Sequence, residues 1–252
     1  PRERSLTGQL CGVMVPCGNV LRAQMLHQTL LQHAAARPKQ EALCALDGRS
    51  VTYGELPQHL GAVQQWLVGA GIPFGQVLGL AMTNGVDMAI TLLGACLHAS
   101  LSPLDPDLGT AELRTILLQM GAQGILTDRA YAGKLGPLAT ELGIPLFLLP
   151  FQEGGKPGAL AGSGPADVEL PPETHVLLLH RTSGTTGTSK RVPLLARNVG
   201  IQARNTAESL GLTDRDRIVN VMPIFHMHGF GCLSGTLWSG GTVVCTPGHD
   251  GQ

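Results

Sequence analysis

The stretch VLGLAMTNGVDMAITLLGACLHASLSPLDP, residues 77–106, decides the fold class. Its first part, Val77 to Met82, is a short apolar run of strand length. Val86, Ile90, Leu93 and Leu97 then recur at helical intervals, and Ser102-Pro103-Leu104-Asp105-Pro106 closes the unit with turn residues. Strand, helix and second strand in this order form the unit from which parallel sheets are built.

The same grammar extends in both directions. Upstream, Leu26, Leu30, Leu31 and Ala34 predict a helix that stops at Arg37, because the residue before Pro38 disfavours the α region. Ala42–Leu46 and Arg49–Thr52 flank Asp47-Gly48, which predicts a β-hairpin on a type I′ turn. Thr52 and Glu55 have capping-box spacing, and Leu56, Leu60, Val63 and Leu67 draw a helix up to Gly71. Downstream, Leu113, Ile116, Leu117 and Met120 mark a helix before Gly121, followed by strand candidates at 124–126 and 145–149. After a Gly-, Pro- and Ser-rich stretch, the run Val176–Leu179, a helix through Val199, Ala203, Ala207 and Leu210, and a strand at Arg217–Val221 follow. A helix around Gly229–Trp238 and a strand at Thr242–Thr246 complete the series. The expected fold is α/β, with helices covering both faces of largely parallel sheets. The expected divisions are an extension over 1–24, an α/β portion over 25–151, a surface loop over 152–173, and a second, incomplete α/β portion over 174–252.

Composition narrows the function. With 17 Lys plus Arg against 18 Asp plus Glu in 252 residues, net charge −1, no global basic surface points to a nucleic-acid partner. The longest apolar stretch, near Met88–Leu97, is too short to span a bilayer, so no membrane span is expected. Six cysteines without a CxxC pair indicate neither a zinc ribbon nor a disulfide framework, and a cytoplasmic protein with free thiols is expected. The 34 glycines and 17 prolines, beside 4% aromatics, predict many turns and loop-borne function.

The chemistry concentrates in Thr182-Ser183-Gly184-Thr185-Thr186-Gly187-Thr188-Ser189-Lys190, directly after the Val176–Leu179 run. Two glycines let backbone N–H groups approach an anion, the hydroxyls add donors, and Lys190 adds a mobile positive charge. This is the donor set of a polyphosphate cradle, and a polar hairpin turn is the alternative. It is not a Walker A loop, because Thr188 and Ser189 stand where that pattern demands glycine and lysine.

These residues resemble the phosphate-binding signature of the adenylate-forming superfamily (acyl-CoA synthetases, peptide-synthetase adenylation domains, luciferases), Thr/Ser-Ser-Gly-Thr/Ser-Thr-Gly-x-Pro-Lys-Gly. Positions match from Thr182 through Gly187 and again at Lys190, while Ser189 replaces the usual proline and Arg191 the usual glycine. Three further stretches resemble the family in the same order. They are Val51-Thr52-Tyr53-Gly54-Glu55-Leu56, the segment from Leu93-Gly94-Ala95 to Asp105-Pro106, and Met222-Pro223-Ile224-Phe225-His226-Met227-His228-Gly229. The first two read as structural.

The resemblance implies ATP-dependent activation of a carboxylic acid as its adenylate, then transfer to a thiol. It implies ATP and Mg2+ as cofactors, with coenzyme A or the phosphopantetheine of an acyl carrier protein as acceptor. It assigns Thr182, Ser183, Gly184, Thr185, Thr186, Gly187, Thr188 and Lys190 to the nucleotide, Lys190 and His226 to catalysis, and Phe225 and His226 to the acid. Amino-acid-activating relatives tend to carry aspartate where His226 stands, so an acid without an α-amino group is expected, with short-chain, oxalate-like, fatty and aryl acids all open. His226, His228 and Cys232 lack zinc-site spacing, and no metal ligand is assigned. His180 and Arg181 read as a strand-end histidine and a solvated arginine, without a role. The family's later elements, including its Tyr-Gly-x-Thr-Glu motif, are not found before Gln252. The expectation is therefore an N-terminal part of a ligase, with a C-terminal domain absent and little activity alone. A non-catalytic nucleotide- or partner-binding module, or the acyl-loading domain of a polyketide or peptide assembly line, are the alternatives.

Overall fold

A computed structural model describes residues 24–152, 157–161, 166–182 and 190–247. The chain opens with α1 (Leu26–Ala36), the hairpin β1 (Glu41–Ala45) and β2 (Ser50–Thr52), and α2 (Leu56–Gly69). The alternating unit follows as β3 (Val77–Leu80), α3 (Val86–Ala95), β4 (Ser100–Pro103), α4 (Thr110–Met120), β5 (Ile125–Thr127), α5 (Arg129–Leu142) and β6 (Leu146–Leu148). The last third holds β7 (Val176–Thr182), β8 (Lys190–Leu195), α6 (Ala196–Leu210), β9 (Arg217–Asn220), α7 (Met227–Ser239) and β10 (Thr242–Cys245).

The strands form two sheets rather than one. One has the order β6-β5-β3-β4-β7-β8 and is parallel except for β8, while the other has the order β2-β1-β10-β9 and is parallel except for β2. Both draw on strands from before and after 152–173. The main core lies between them. Leu30 of α1, Leu60 of α2, Ile90 of α3, Val199 of α6 and Leu233 of α7 share it with Leu43 of β1, Leu78 of β3 and Val243 of β10. A second cluster covers the other face of the six-stranded sheet, where Leu113 and Leu117 of α4 and Leu135 and Leu138 of α5 pack over Ile125 and Leu179. Helices on both faces explain the continuous apolar strand runs.

Local features follow from the sequence with three exceptions. The Thr52–Glu55 capping box forms: Glu55 Oε2 accepts from the Thr52 N–H at 3.0 Å, and Thr52 Oγ1 accepts from the Glu55 N–H at 3.3 Å. Gly121 ends α4 in the left-handed region at φ 68°. The β1–β2 turn, however, is closed by the Gly48 N–H on the Ala45 carbonyl, with Gly48 last in the turn at φ 84°. Leu46 and Asp47 are thus its central residues, the geometry of a longer hairpin connection with a bulge rather than the expected type I′ turn. Helix α5, which carries Gly133, Gly136 and Pro137, was not foreseen; Asp128 caps it by accepting from the Tyr131 N–H. Strand β8 was not foreseen either.

The 152–173 stretch is pinned where it is described. Phe151 and Leu160 form a β-bridge, and Gln64 exchanges two hydrogen bonds with the Glu169 backbone at 2.8 and 2.9 Å.

Candidate functional site

Strand β7 enters the six-stranded sheet beside β4, then turns back antiparallel as β8, with Thr182 directly opposite Lys190 in the ladder. Seven residues connect the strands, and Ser183, Gly184, Thr185, Thr186, Gly187, Thr188 and Ser189 lie outside the described residues. The described chain thus enters at strand β7 and leaves at the antiparallel strand β8, whereas a Walker loop leads into a helix. The hairpin is anchored from outside. Arg191 donates through Nη1 to the carbonyl of Met120 at the end of α4, over 2.9 Å, so the residue at the usual glycine position has a structural use. A cation at a helix C-terminus is also favoured by the helix dipole.

Phe225 and His226 sit on the turn between β9 and α7. The Ile224 N–H donates to Asn84 Oδ1 at 2.8 Å, the Asn84 amide donates to the Thr246 carbonyl at 2.6 Å, and the His226 N–H closes the turn on the Pro223 carbonyl at 3.0 Å. His226 is the N-cap residue of α7, and its carbonyl accepts from the Phe230 N–H at 2.9 Å. Gly229 is required by contact: a Cβ there would stand 2.2 Å from the Pro223 carbonyl oxygen. The Gly229 carbonyl in turn accepts from Asn220 Nδ2 at 2.9 Å. The Phe225 and His226 rings lie 4.6 Å apart at 56°, with Phe225 half-buried and His226 exposed.

Strand β7 carries a further histidine, His180. Leu178 packs toward the main core and Leu179 toward the outer cluster, so His180 faces inward with Leu178. Burial, then the neighbouring His226, pushes its pKa down to about 4. Its Nε2 is sealed from water and has no partner among the described residues. In the sequence His180 directly follows the apolar run Val176–Leu179, within β7.

Phe225 and His226 thus stack on the β9–α7 turn, while His180 stands on β7 two residues before Thr182. His228 and Cys232 do not join them: they line a groove of about 770 Å³ between α6 and α7, with Gln202 and Met227. A crevice of about 790 Å³, lined by Met82, Asp87, Asp128 and Phe151, is also separate from the hairpin. Among the described residues no three His, Cys, Asp or Glu side chains gather as a metal site. Among the described residues no helix is long and apolar enough to cross a membrane, and Cys44, Cys96, Cys232 and Cys245 are free thiols.

The model of the AMP-binding enzyme family matches residues 30–251. The chain belongs to this family. It is 30% identical over 204 residues to the hybrid PKS-NRPS synthetase pyvA of Aspergillus violaceofuscus, covering 80% of this chain and 5% of that protein. It is 30% identical over 220 residues to the sulfoacetate–CoA ligase of Cupriavidus necator, covering 84% of this chain and 43% of that ligase. The crystal structure of a long-chain-fatty-acid-CoA ligase from Archaeoglobus fulgidus superposes with a TM-score of 0.78 at 21% identity, over 90% of this chain and 48% of that one. The chain thus spans less than half the length of these relatives, and the structural match supports the fold, the N-terminal region of adenylate-forming enzymes.

Proposed function

We propose that this chain forms the phosphate-gripping part of a cytoplasmic acid–thiol ligase, one that activates a non-amino carboxylic acid as its adenylate before thioester formation. The observation that carries the reading is the hairpin holding Thr182 opposite Lys190, in a chain of the AMP-binding family. The donor set fits a nucleoside triphosphate: a glycine- and hydroxyl-rich connection with a lysine at its far end. ATP with magnesium supplies an electrophilic α-phosphorus and a pyrophosphate leaving group.

The chain's own residues hold and orient. Backbone N–H groups and hydroxyls from Thr182 to Thr188 donate to the outer phosphates, and Lys190 neutralises their charge. His226, at the α7 N-terminus, orients the attacking carboxylate, and Phe225 packs the acyl portion. The acceptor thiol belongs to coenzyme A, as the similarity to sulfoacetate–CoA ligase favours. Similarity to the PKS-NRPS synthetase favours a second reading, in which a carrier protein's phosphopantetheine receives the acyl group.

The test is calorimetric titration of ATP with magnesium into the 252-residue chain and its Lys190→Ala variant. Saturable binding, weakened about tenfold or more in the variant, is expected from loss of a charged donor. Absence of ATP binding to the wild-type chain would overturn the reading. ATP binding without acyl-adenylate formation by any longer chain containing these residues would favour the non-catalytic module.

A further inference from the structure

The groove of about 770 Å³ between α6 and α7 begins at the first turn of α7, directly after Phe225 and His226. The two helices run side by side in the same direction, with Gln202 of α6 against Gly231 of α7 and Thr206 against Gly235. Its α6 wall, from Asn198 to Leu210, extends about 18 Å at the α-helical rise. Among the described residues that line it, none is Asp, Glu, Lys or Arg. Gln202, half-buried, is fixed between the helices. Its Nε2 donates to Thr206 Oγ1 at 3.3 Å, and the buried Ser234 hydroxyl donates to its Oε1 at 3.2 Å. A primary amide has two N–H donors, and the bond to Thr206 uses one. Glycine inside a helix weakens it relative to alanine, so each glycine of α7 needs a reason. At Gly235 the reason is packing, because a Cβ would stand 2.6 Å from the Thr206 methyl. At Gly231 the group that a Cβ would meet is the Gln202 amide nitrogen, at 3.1 Å, so this glycine leaves the nitrogen open on its α7 side.

Resting on the adenylate-forming reading above, with the carboxylate at His226, we propose that this groove holds the chain of the acid and that Gln202 is its specificity-determining residue. The second amide N–H donates to an uncharged oxygen on that chain, so the substrate class is a monocarboxylic acid carrying a hydroxyl or carbonyl group. Gly231 stands five residues after His226, about 7.5 Å along the α7 axis, which sets the oxygen at the reach of a six-carbon acid. A purely aliphatic tail is disfavoured, because it would strip water from the amide without replacing the hydrogen bond. A diacid is disfavoured, because its second carboxylate would leave water with no lysine or arginine among the described lining residues to receive it. Asn198, Asn205 and Ser209 on the α6 wall fit the same class, offering hydrogen bonds without charge. Ile201 and Met227, both exposed, pack the methylene groups between the polar ends.

Calorimetric titration of the chain with hexanoate, 6-hydroxyhexanoate, 5-oxohexanoate and adipate tests this. At least one oxygenated monoacid is expected to bind about fivefold or more tightly than both hexanoate and adipate, the effect of one neutral hydrogen bond. The Gln202 side-chain amide resonance in NMR spectra should move as that acid saturates the chain. Gln202→Met, of similar length, should erase the preference while hexanoate still binds. Gly231→Ala, which fills the space beside the amide, should weaken binding of every acid about fivefold or more and leave the thermal midpoint unchanged or raised, since alanine favours the helix. This variant serves if the methionine variant does not fold. Binding of hexanoate or adipate as tight as that of the oxygenated acids would overturn the proposal, and so would no binding of any of the four. An unmoved Gln202 resonance, a preference that survives in Gln202→Met, or undiminished binding by Gly231→Ala would do the same. ATP titrated separately distinguishes the two readings: a Gln202-dependent preference without ATP binding refutes adenylation alone, and ATP binding without that preference refutes this proposal alone.

Discussion

The Arg191 guanidinium donates to the Met120 carbonyl over 2.9 Å, tying the edge strand that follows the phosphate-loop sequence to the C-terminus of α4. The bond spans 71 residues of sequence and stabilises the hairpin from its outer side. Arg191→Gly, which restores the residue usual in the family, is therefore expected to lower stability by about 1 kcal/mol. A urea-denaturation midpoint no lower than that of the wild type would show that the contact contributes nothing.

Lys190 stands opposite Thr182 in the ladder, at the far end of the connection proposed to grip phosphate. In any ligase chain containing these residues, Lys190→Ala should slow ATP–pyrophosphate exchange by about 10²- to 10³-fold, as loss of one preorganised charge-stabilising donor does. An unchanged exchange rate would remove Lys190 from the mechanism.

Tyr53 is fully buried and donates through its hydroxyl to the Gly241 carbonyl at 2.7 Å, joining the first motif to the turn between α7 and β10. Tyr53→Phe leaves that carbonyl without this donor and should cost about 1–3 kcal/mol. The check is chemical denaturation of the two proteins side by side; equal stability would mean that water replaces the hydroxyl.

Gly229 admits no side chain without moving the turn that carries Phe225 and His226, because its Cβ would meet backbone oxygen of both Pro223 and Met222. Gly229→Ala should destabilise the chain by about 1–3 kcal/mol, the usual cost of forcing atoms into packed space. It should also displace the His226 ring resonances in NMR spectra. Unshifted resonances would show that the helix, not the turn, gives way.

His27 is buried at the centre of the main core, its Nε2 2.8 Å from the Leu93 carbonyl, and desolvation pushes its pKa down to about 4. The folded chain therefore resists a proton that the unfolded chain accepts at its ordinary value of 6.5. Stability is full above pH 6.5 and falls as pH drops toward 4, by about 3 kcal/mol from this group. His27→Gln should reduce the pH dependence of the thermal midpoint in that window, leaving the comparable slope due to His180 and the part due to His175, whose pKa values are lowered in the same direction. An identical pH profile would assign the acid sensitivity elsewhere.

Much of the fold was legible because it is written in local periodicity. Leu56, Leu60, Val63 and Leu67 could face one core only as a helix, and all four are buried in α2. Helix α5 was hidden because Gly133, Gly136 and Pro137 oppose a helix locally, and packing of Leu135 and Leu138 under the sheet overrides them. Strand β8 was hidden by Pro193, which a sheet tolerates at an edge, the position β8 occupies. The turn around Phe225 and His226 was visible as a motif, but the reason for its glycine, contact with the Pro223 carbonyl, was not.

The sequence by itself determined the alternation of strands and helices, the family, and the order of donors from Thr182 to Lys190, because each depends on neighbours along the chain. Only the tertiary structure decided that there are two sheets, that Leu43 of β1 pairs with Val243 of β10, and that the Nε2 of His180 has no partner among the described residues. Strand pairing and burial join residues far apart in sequence, and a desolvated nitrogen differs from a solvated one only through what surrounds it in space.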